Sequence, residues 1–129
     1  MAEKKKILLV EDEKDLAEMF SLKLQDSGYE VKNAFDGQVG YDEIKRGRFD
    51  LILLDLIIPE MDGYAVLEKI RQEKTAQGAL IYVWSNLTQK TEVERAMKLG
   101  AKGFLVKSDY TPTKLVDKVN EILKLKIKS

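Results

Sequence analysis

The chain has 129 residues, 44% apolar and 34% charged, the mixture of one soluble globular domain large enough to bury a core without disulfide or metal staples. Its 22 basic and 22 acidic side chains cancel, so no nucleic-acid partner is expected, and no stretch approaches the about 20 apolar residues that membrane insertion needs. The absence of cysteine and histidine excludes thiolate nucleophiles, zinc ribbons, Ser-His-Asp triads and HExxH sites, which leaves carboxylates, lysines, hydroxyls and backbone amides.

Near the N-terminus, the apolar stretch ILLV is too short for a signal peptide, which makes the cytoplasm the expected compartment. It belongs to the first of five predicted strands, KILLV at 6–10. Leu16, Ala17, Phe20 and Leu24 then share a helical face that Gly28 should stop. The second strand, EVKNA at 30–34, is the most polar, which places it nearer an edge of the sheet. Gly40, Ile44 and the stop Gly47 mark a shorter second helix. LILLD at 51–55 is a strand apolar enough to be buried on both faces. Asp62 is placed to cap a third helix carrying Val66, Leu67 and Ile70. The fourth strand is LIYVW at 80–84. Thr88 is the expected cap of the next helix, with Val93, Ala96 and Met97 turned inward and Gly100 at its end. After GFLVK at 103–107, Thr111-Pro112 supplies a cap followed by proline at the first helical position. The last helix carries Leu115, Val119, Ile122 and Leu123 on one stripe and five lysines against Asp117 and Glu121, read as a solvated face.

Strand and helix repeated five times predict an α/β domain, a parallel sheet with helices on both faces, spanning 1–129 with no output domain. Ligands of such sheets bind beyond the carboxyl ends of the strands. Those ends carry Glu11 and Asp12, Asp55, Ser85 and Lys107. Each has a plain structural reading, as a helix-dipole acid, a turn former, a cap or a solvated lysine. Together, however, clustered carboxylates resist ionising without a counter-charge, which Lys107 and a divalent cation such as Mg²⁺ would supply. A carboxylate beside a half-made Mg²⁺ site is itself a potential nucleophile toward a phosphoryl group.

With these residues in place, the sequence resembles a response-regulator receiver domain of the stand-alone type, the phospho-acceptor module of two-component signalling. The resemblance runs from KILLVEDE through DLILLDLIIPEMDGYAVLEKIR, IYVWSN and GAKGFLVK to the last helix. It implies a flavodoxin-like, doubly wound (βα)5 fold with strand order 2-1-3-4-5. By position, Asp55 resembles the phosphorylated aspartate. Asp12, Glu11, Asp55 and the backbone carbonyl of Ile57 resemble the ligands of Mg²⁺ (or Mn²⁺), and Ser85 and Lys107 the hydroxyl and ammonium that meet the phosphoryl group. Ser85 and Phe104 match the switch pair that reports to the surface of the fourth helix, fifth strand and fifth helix. The implied donor is a sensor histidine kinase or histidine phosphotransfer protein, acting on a monomer or a phosphorylation-dependent dimer that then binds a downstream protein target.

Five positions depart from the family's usual pattern. Ser108 stands where proline normally follows the lysine across a cis bond, and cis without proline costs about 2.5–4 kcal/mol, so a trans bond is expected. Asn86 replaces a small residue, and its bulk is expected to narrow access to the phosphoryl group. Ile57 and Leu87 are apolar where polar side chains orient the hydrolytic water, which implies a long-lived phosphoryl group. Phe104 lacks the hydroxyl of the common tyrosine. A haloacid-dehalogenase-type phosphatase is excluded by Ile57, since that class needs a second aspartate there. A pseudo-receiver, an interaction module that is not phosphorylated in function, remains the alternative reading.

Overall fold

The computed structural model describes residues 4–128. Strands β1 (Lys6–Val10), β2 (Glu30–Ala34), β3 (Leu51–Leu54), β4 (Leu80–Ser85) and β5 (Gly103–Val106) alternate with helices α1 (Lys14–Asp26), α2 (Gly37–Arg46), α3 (Gly63–Glu73), α4 (Lys90–Lys98) and α5 (Pro112–Lys128). A 3₁₀ turn, Lys107–Asp109, lies between β5 and α5. The strands form one parallel sheet in the order β2-β1-β3-β4-β5, the flavodoxin-like winding, with the polar β2 at an edge as its composition predicts.

Strand alternation divides the core in two. Ile7, Leu9, Leu51, Leu53, Trp84 and Leu105 face α1 and α5, and meet Ala17, Phe20, Leu24, Leu115 and Val119. Leu8, Val10, Ile52, Leu54 and Val83 face the other helices, against Tyr41, Ile44, Val66, Leu67 and Ile70. Every residue of β1 after Lys6 and all of β3 are buried, so neither central strand keeps a wet face. Trp84 is fully buried and stacks edge-on against Phe20, with ring centroids 5.0 Å apart, tying β4 to α1.

Several helix boundaries follow from local chemistry. Asp62 accepts the Ala65 N–H at 2.8 Å, and Thr111 Oγ1 accepts the Lys114 N–H at 3.2 Å, so both expected caps form. Asp36 caps α2 in the same way, accepting from Val39 N–H at 2.7 Å. The expectations for α4 need correction. Gln89, not Thr88, precedes its first turn, and no side chain caps it. Met97 is 42% exposed and Val93 only half-buried, which leaves Ala96 as the one buried residue of the helix. The apolar spacing there was too sparse to cover a full face, so polar contacts hold the helix instead. The Tyr64 hydroxyl of α3 donates to the Glu92 carboxylate, and the Arg95 guanidinium lies 4.0 Å from the Tyr64 ring centroid. The lysines at 126 and 128 lie outside the described side chains. Among the described residues no peptide bond is cis and no helix is long and apolar enough to cross a membrane.

The link from β3 to α3 leaves no room for a side chain at Gly63. Gly63 N–H donates to the Leu56 carbonyl at 3.0 Å. A Cβ on Gly63 would lie 2.5 Å from the Asp55 carbonyl oxygen and 2.7 Å from Leu56 Cα. Backbone atoms cannot rotate away, so the start of α3 would have to leave the sheet edge. Gly63→Ala should therefore lower stability by about 1–3 kcal/mol, the usual cost of overpacking. Denaturant unfolding with an unchanged slope is the check.

Candidate functional site

The site follows from strand register. Val10 pairs with Leu54, so Glu11 and Asp55 each stand one residue past the same rung of adjacent strands. Ser85 pairs with Val106, which puts Lys107 one residue beyond Ser85 on the neighbouring strand. Four residues scattered over the sequence thus arrive at one edge of the sheet, with Asp12 next to Glu11. Asp55 and Lys107 lie just outside their strands rather than within them, and β4 extends to include Ser85.

Lys107 is the centre of the cluster. Its Nζ lies 2.6 Å from Asp55 Oδ2 and 2.5 Å from Glu11 Oε1. Glu11 is 0% exposed and Asp55 4%, whereas Asp12 beside them is exposed. The remaining carboxylate oxygens are held by the backbone that follows. Glu11 Oε2 accepts the Glu13 N–H at 3.1 Å, and Asp55 Oδ1 accepts the Ile57 N–H at 3.2 Å. Ser85 is buried, and its Oγ accepts the Leu87 N–H at 3.2 Å, leaving the hydroxyl proton free to donate. Ile57 sits in the loop after β3 with its side chain 64% exposed. Phe104 is half-buried on β5, packed against the core on the side of α2, α3 and α4.

Burial pushes the Glu11 carboxyl above its usual range, and the nearby Asp55 charge adds to this. The Lys107 hydrogen bond, the Glu13 N–H and the Lys107 charge oppose it without winning. For Lys107, burial pulls the ammonium down, but its bonds to Asp55 and Glu11 and their charges outweigh it, so the group is raised. One ammonium therefore bridges two carboxylates while Asp12 adds a third beside them, and the cluster keeps an excess of negative charge.

That excess is what a hard divalent cation neutralises. Glu11, Asp12 and Asp55 each offer an oxygen, and the three lie within 4.8 Å of one another. An all-carboxylate donor set beside open solvent at Asp12 suits Mg²⁺, which keeps waters and takes few protein ligands. The residues present fit the ion.

Sequence reasoning located each of these groups because each ends a strand. It missed the loop contact between Asn86 and Ser108, in which Asn86 Oδ1 accepts the Ser108 N–H at 2.9 Å. It also missed the clasp of Tyr64 by Glu92 and Arg95. Both bridge separate elements, and nothing in their spacing along the chain announces them.

The raised Glu11 gives a signed pH dependence. The folded chain holds the Glu11 proton to higher pH than the unfolded chain does, so this group's contribution to stability falls as pH rises through that window. At pH 7, without divalent cations, Glu11→Gln should thus melt higher than the parent chain. The gain should shrink as pH is lowered toward the ordinary glutamate value of 4.5. Thermal unfolding in chelator across that range is the measurement.

Comparison with known proteins agrees with this geometry. The family model described as the response regulator receiver domain matches residues 7–120. The transcriptional regulatory protein DltR of Streptococcus agalactiae is 36% identical over 102 residues, covering 79% of this chain and 45% of the relative. The response regulator ArlR of Staphylococcus aureus is 33% identical over 118 residues, covering 92% and 52%. The chain thus spans about half the length of the curated relatives it matches. A CheY-like receiver domain from Methanospirillum hungatei superposes with a TM-score of 0.87 at 26% identity, over 98% of both chains. The chemotaxis protein CheY4 of Vibrio cholerae gives 0.83 at 29% identity, over 92% of this chain and 98% of that one. In sequence, strand order and the residues gathered at the sheet edge, this chain belongs to the response regulator receiver domain family.

Proposed function

We propose that the chain is a phospho-acceptor switch in which Asp55 receives a phosphoryl group from a phosphohistidine on a sensor kinase or phosphotransfer protein. The observation that carries this reading is the gathering of Glu11, Asp12 and Asp55 at the edge of the sheet, with Lys107 against Glu11 and Asp55. The donor lies outside these 129 residues, which contain no histidine.

In the transfer, an Asp55 carboxylate oxygen forms the new bond to phosphorus as the donor's P–N bond breaks. The electron pair returns to the imidazole nitrogen, which takes up a proton. Glu11, Asp12, Asp55 and the Ile57 carbonyl would hold Mg²⁺ (or Mn²⁺), whose charge offsets that of the phosphoryl oxygens. The Lys107 ammonium, already against Asp55 Oδ2, neutralises the same oxygens from the other side. Little covalent assistance is needed, so positioned charge accounts for most of the chemistry. The chain promotes its own phosphorylation and slow loss of the group, and is otherwise no enzyme.

The Ser85 hydroxyl has its proton to give, and donating it to a phosphoryl oxygen draws the loop after β4 toward Asp55. Phe104 follows into the space released. The surface of α4, β5 and α5 is the readout, and α4 suits that role because only Ala96 of it is buried. The downstream target is a protein that distinguishes the two states of this surface, from a chain acting in the cytoplasm as a monomer or a phosphorylation-dependent dimer.

Intact mass after incubation with acetyl phosphate and Mg²⁺ tests the proposal. One added phosphoryl group is expected in the parent chain, and none in Asp55→Asn or in chelator. A folded, Mg²⁺-binding parent chain that gains no mass would leave a pseudo-receiver as the better description. Loss of the group should be slow, because Ile57 and Leu87 carry no polar atom to orient a water. Decay as fast as in chemotaxis-type receivers would contradict that assignment, and Ile57→Asn should accelerate it.

A further inference from the structure

Asn86 and Ser108 bond to each other. Asn86 is the first residue after β4, and Ser108 is the middle residue of the 3₁₀ turn after β5. The Ser108 N–H can only donate, so the amide oxygen of Asn86 faces it, at 2.9 Å across 22 residues of sequence. A proline at 108 would have no N–H to give. The residues on either side of this bond are those of the site. Ser85 precedes Asn86 and accepts from the next N–H, that of Leu87. Lys107 precedes Ser108 and opens the turn, whose end is closed by the Tyr110 N–H on the Lys107 carbonyl at 3.1 Å.

We infer that Asn86 is a positioning residue: by holding the Ser108 N–H it fixes the turn that presents the Lys107 ammonium to Asp55 and Glu11. Asn86 is exposed and its amide oxygen is taken up by the Ser108 N–H, so it acts on the site through the turn that carries Lys107. Its bond fastens the loop that carries the hydroxyl of Ser85 to the turn that carries the ammonium. The two groups that meet the phosphoryl group are thereby held in register with each other. Being at the surface, the bond contributes little to global stability, and its loss should be read in the site rather than in unfolding.

The first test uses the unphosphorylated, metal-free chain, with the Lys107 ammonium followed by proton–nitrogen NMR at one fixed pH and assigned by its loss in Lys107→Arg. An ammonium clamped between two carboxylates exchanges slowly enough to be seen. The signal should be present in the parent chain and in Asn86→Asp, which keeps an acceptor oxygen, and broadened away in Asn86→Ala. A signal unchanged in Asn86→Ala, or absent from the parent chain, overturns the inference. The second test rests on the phospho-acceptor reading. With acetyl phosphate at saturating Mg²⁺, Asn86→Ala should slow phosphorylation about five- to tenfold, one net hydrogen bond expressed as a rate. The dissociation constant for Mg²⁺ should stay as in the parent chain, and Asn86→Asp should restore the rate. A fall in Mg²⁺ affinity equal to the fall in rate, or a rate that rises, overturns the assignment. If the parent chain takes no phosphoryl group at all, the proposed function fails, while the NMR comparison still decides the role of Asn86.

Discussion

An ammonium caught between two buried carboxylates is the constraint around which the sheet edge is arranged. Lys107 reaches Glu11 and Asp55 because β1 and β3 end on the same rung and β5 runs only two residues past it, close enough for a long side chain to span the gap. Burial penalises charge on Glu11 and on Lys107, and the bond between them works against that penalty for both. The arrangement is still short of positive charge, since Asp12 adds a third carboxylate without adding a cation. A site in this condition is unfinished by itself and gains from whatever cation or phosphoryl oxygen completes it. Stability and reactivity are therefore opposed at this edge, while the apolar layers on both faces of the sheet hold the fold together.

The parts of this design that could be read from the sequence are those governed by local pattern. Unbroken apolar runs identify β1 and β3 as central, and the polar β2 falls at the edge for the same reason. Asp62 and Thr111 behave as caps because capping needs only a side-chain oxygen and an N–H three residues away. The acids and the lysine were legible because a strand that ends in a charge must place it at the sheet margin. Strand order came from family resemblance, since periodicity carries no information about neighbours. Met97 was misplaced because a helical stripe tells which residues share a face but not whether a neighbour covers it. Tyr64 gave no signal at all, for its partners Glu92 and Arg95 belong to a different helix.

Departures from a family pattern invite separate explanations for each position, and here the geometry joins two of them. Asparagine after the β4 hydroxyl and serine after the β5 lysine are each unusual, yet one accepts the hydrogen that the other offers. A proline constrains a turn through its own ring, whereas this chain constrains the same turn from the neighbouring loop. The constraint has moved from a covalent ring to a contact between two segments, and the loops that flank Asp55 no longer vary independently.

The fastening of α4 has a consequence of a different kind. Apolar area holds the other four helices, but α4 is held to α3 by a tyrosine hydroxyl on a carboxylate, a guanidinium over an aromatic ring, and Arg71 donating to the Lys98 carbonyl at 3.3 Å. Contacts made by charged groups at a surface weaken as dissolved ions screen them over about 10 Å or less, while burial of hydrocarbon is indifferent to such screening. The grip on this one helix is thus set partly by the surrounding electrolyte. Ionic strength reaches the face that α4 presents without passing through the core, the sheet or Asp55.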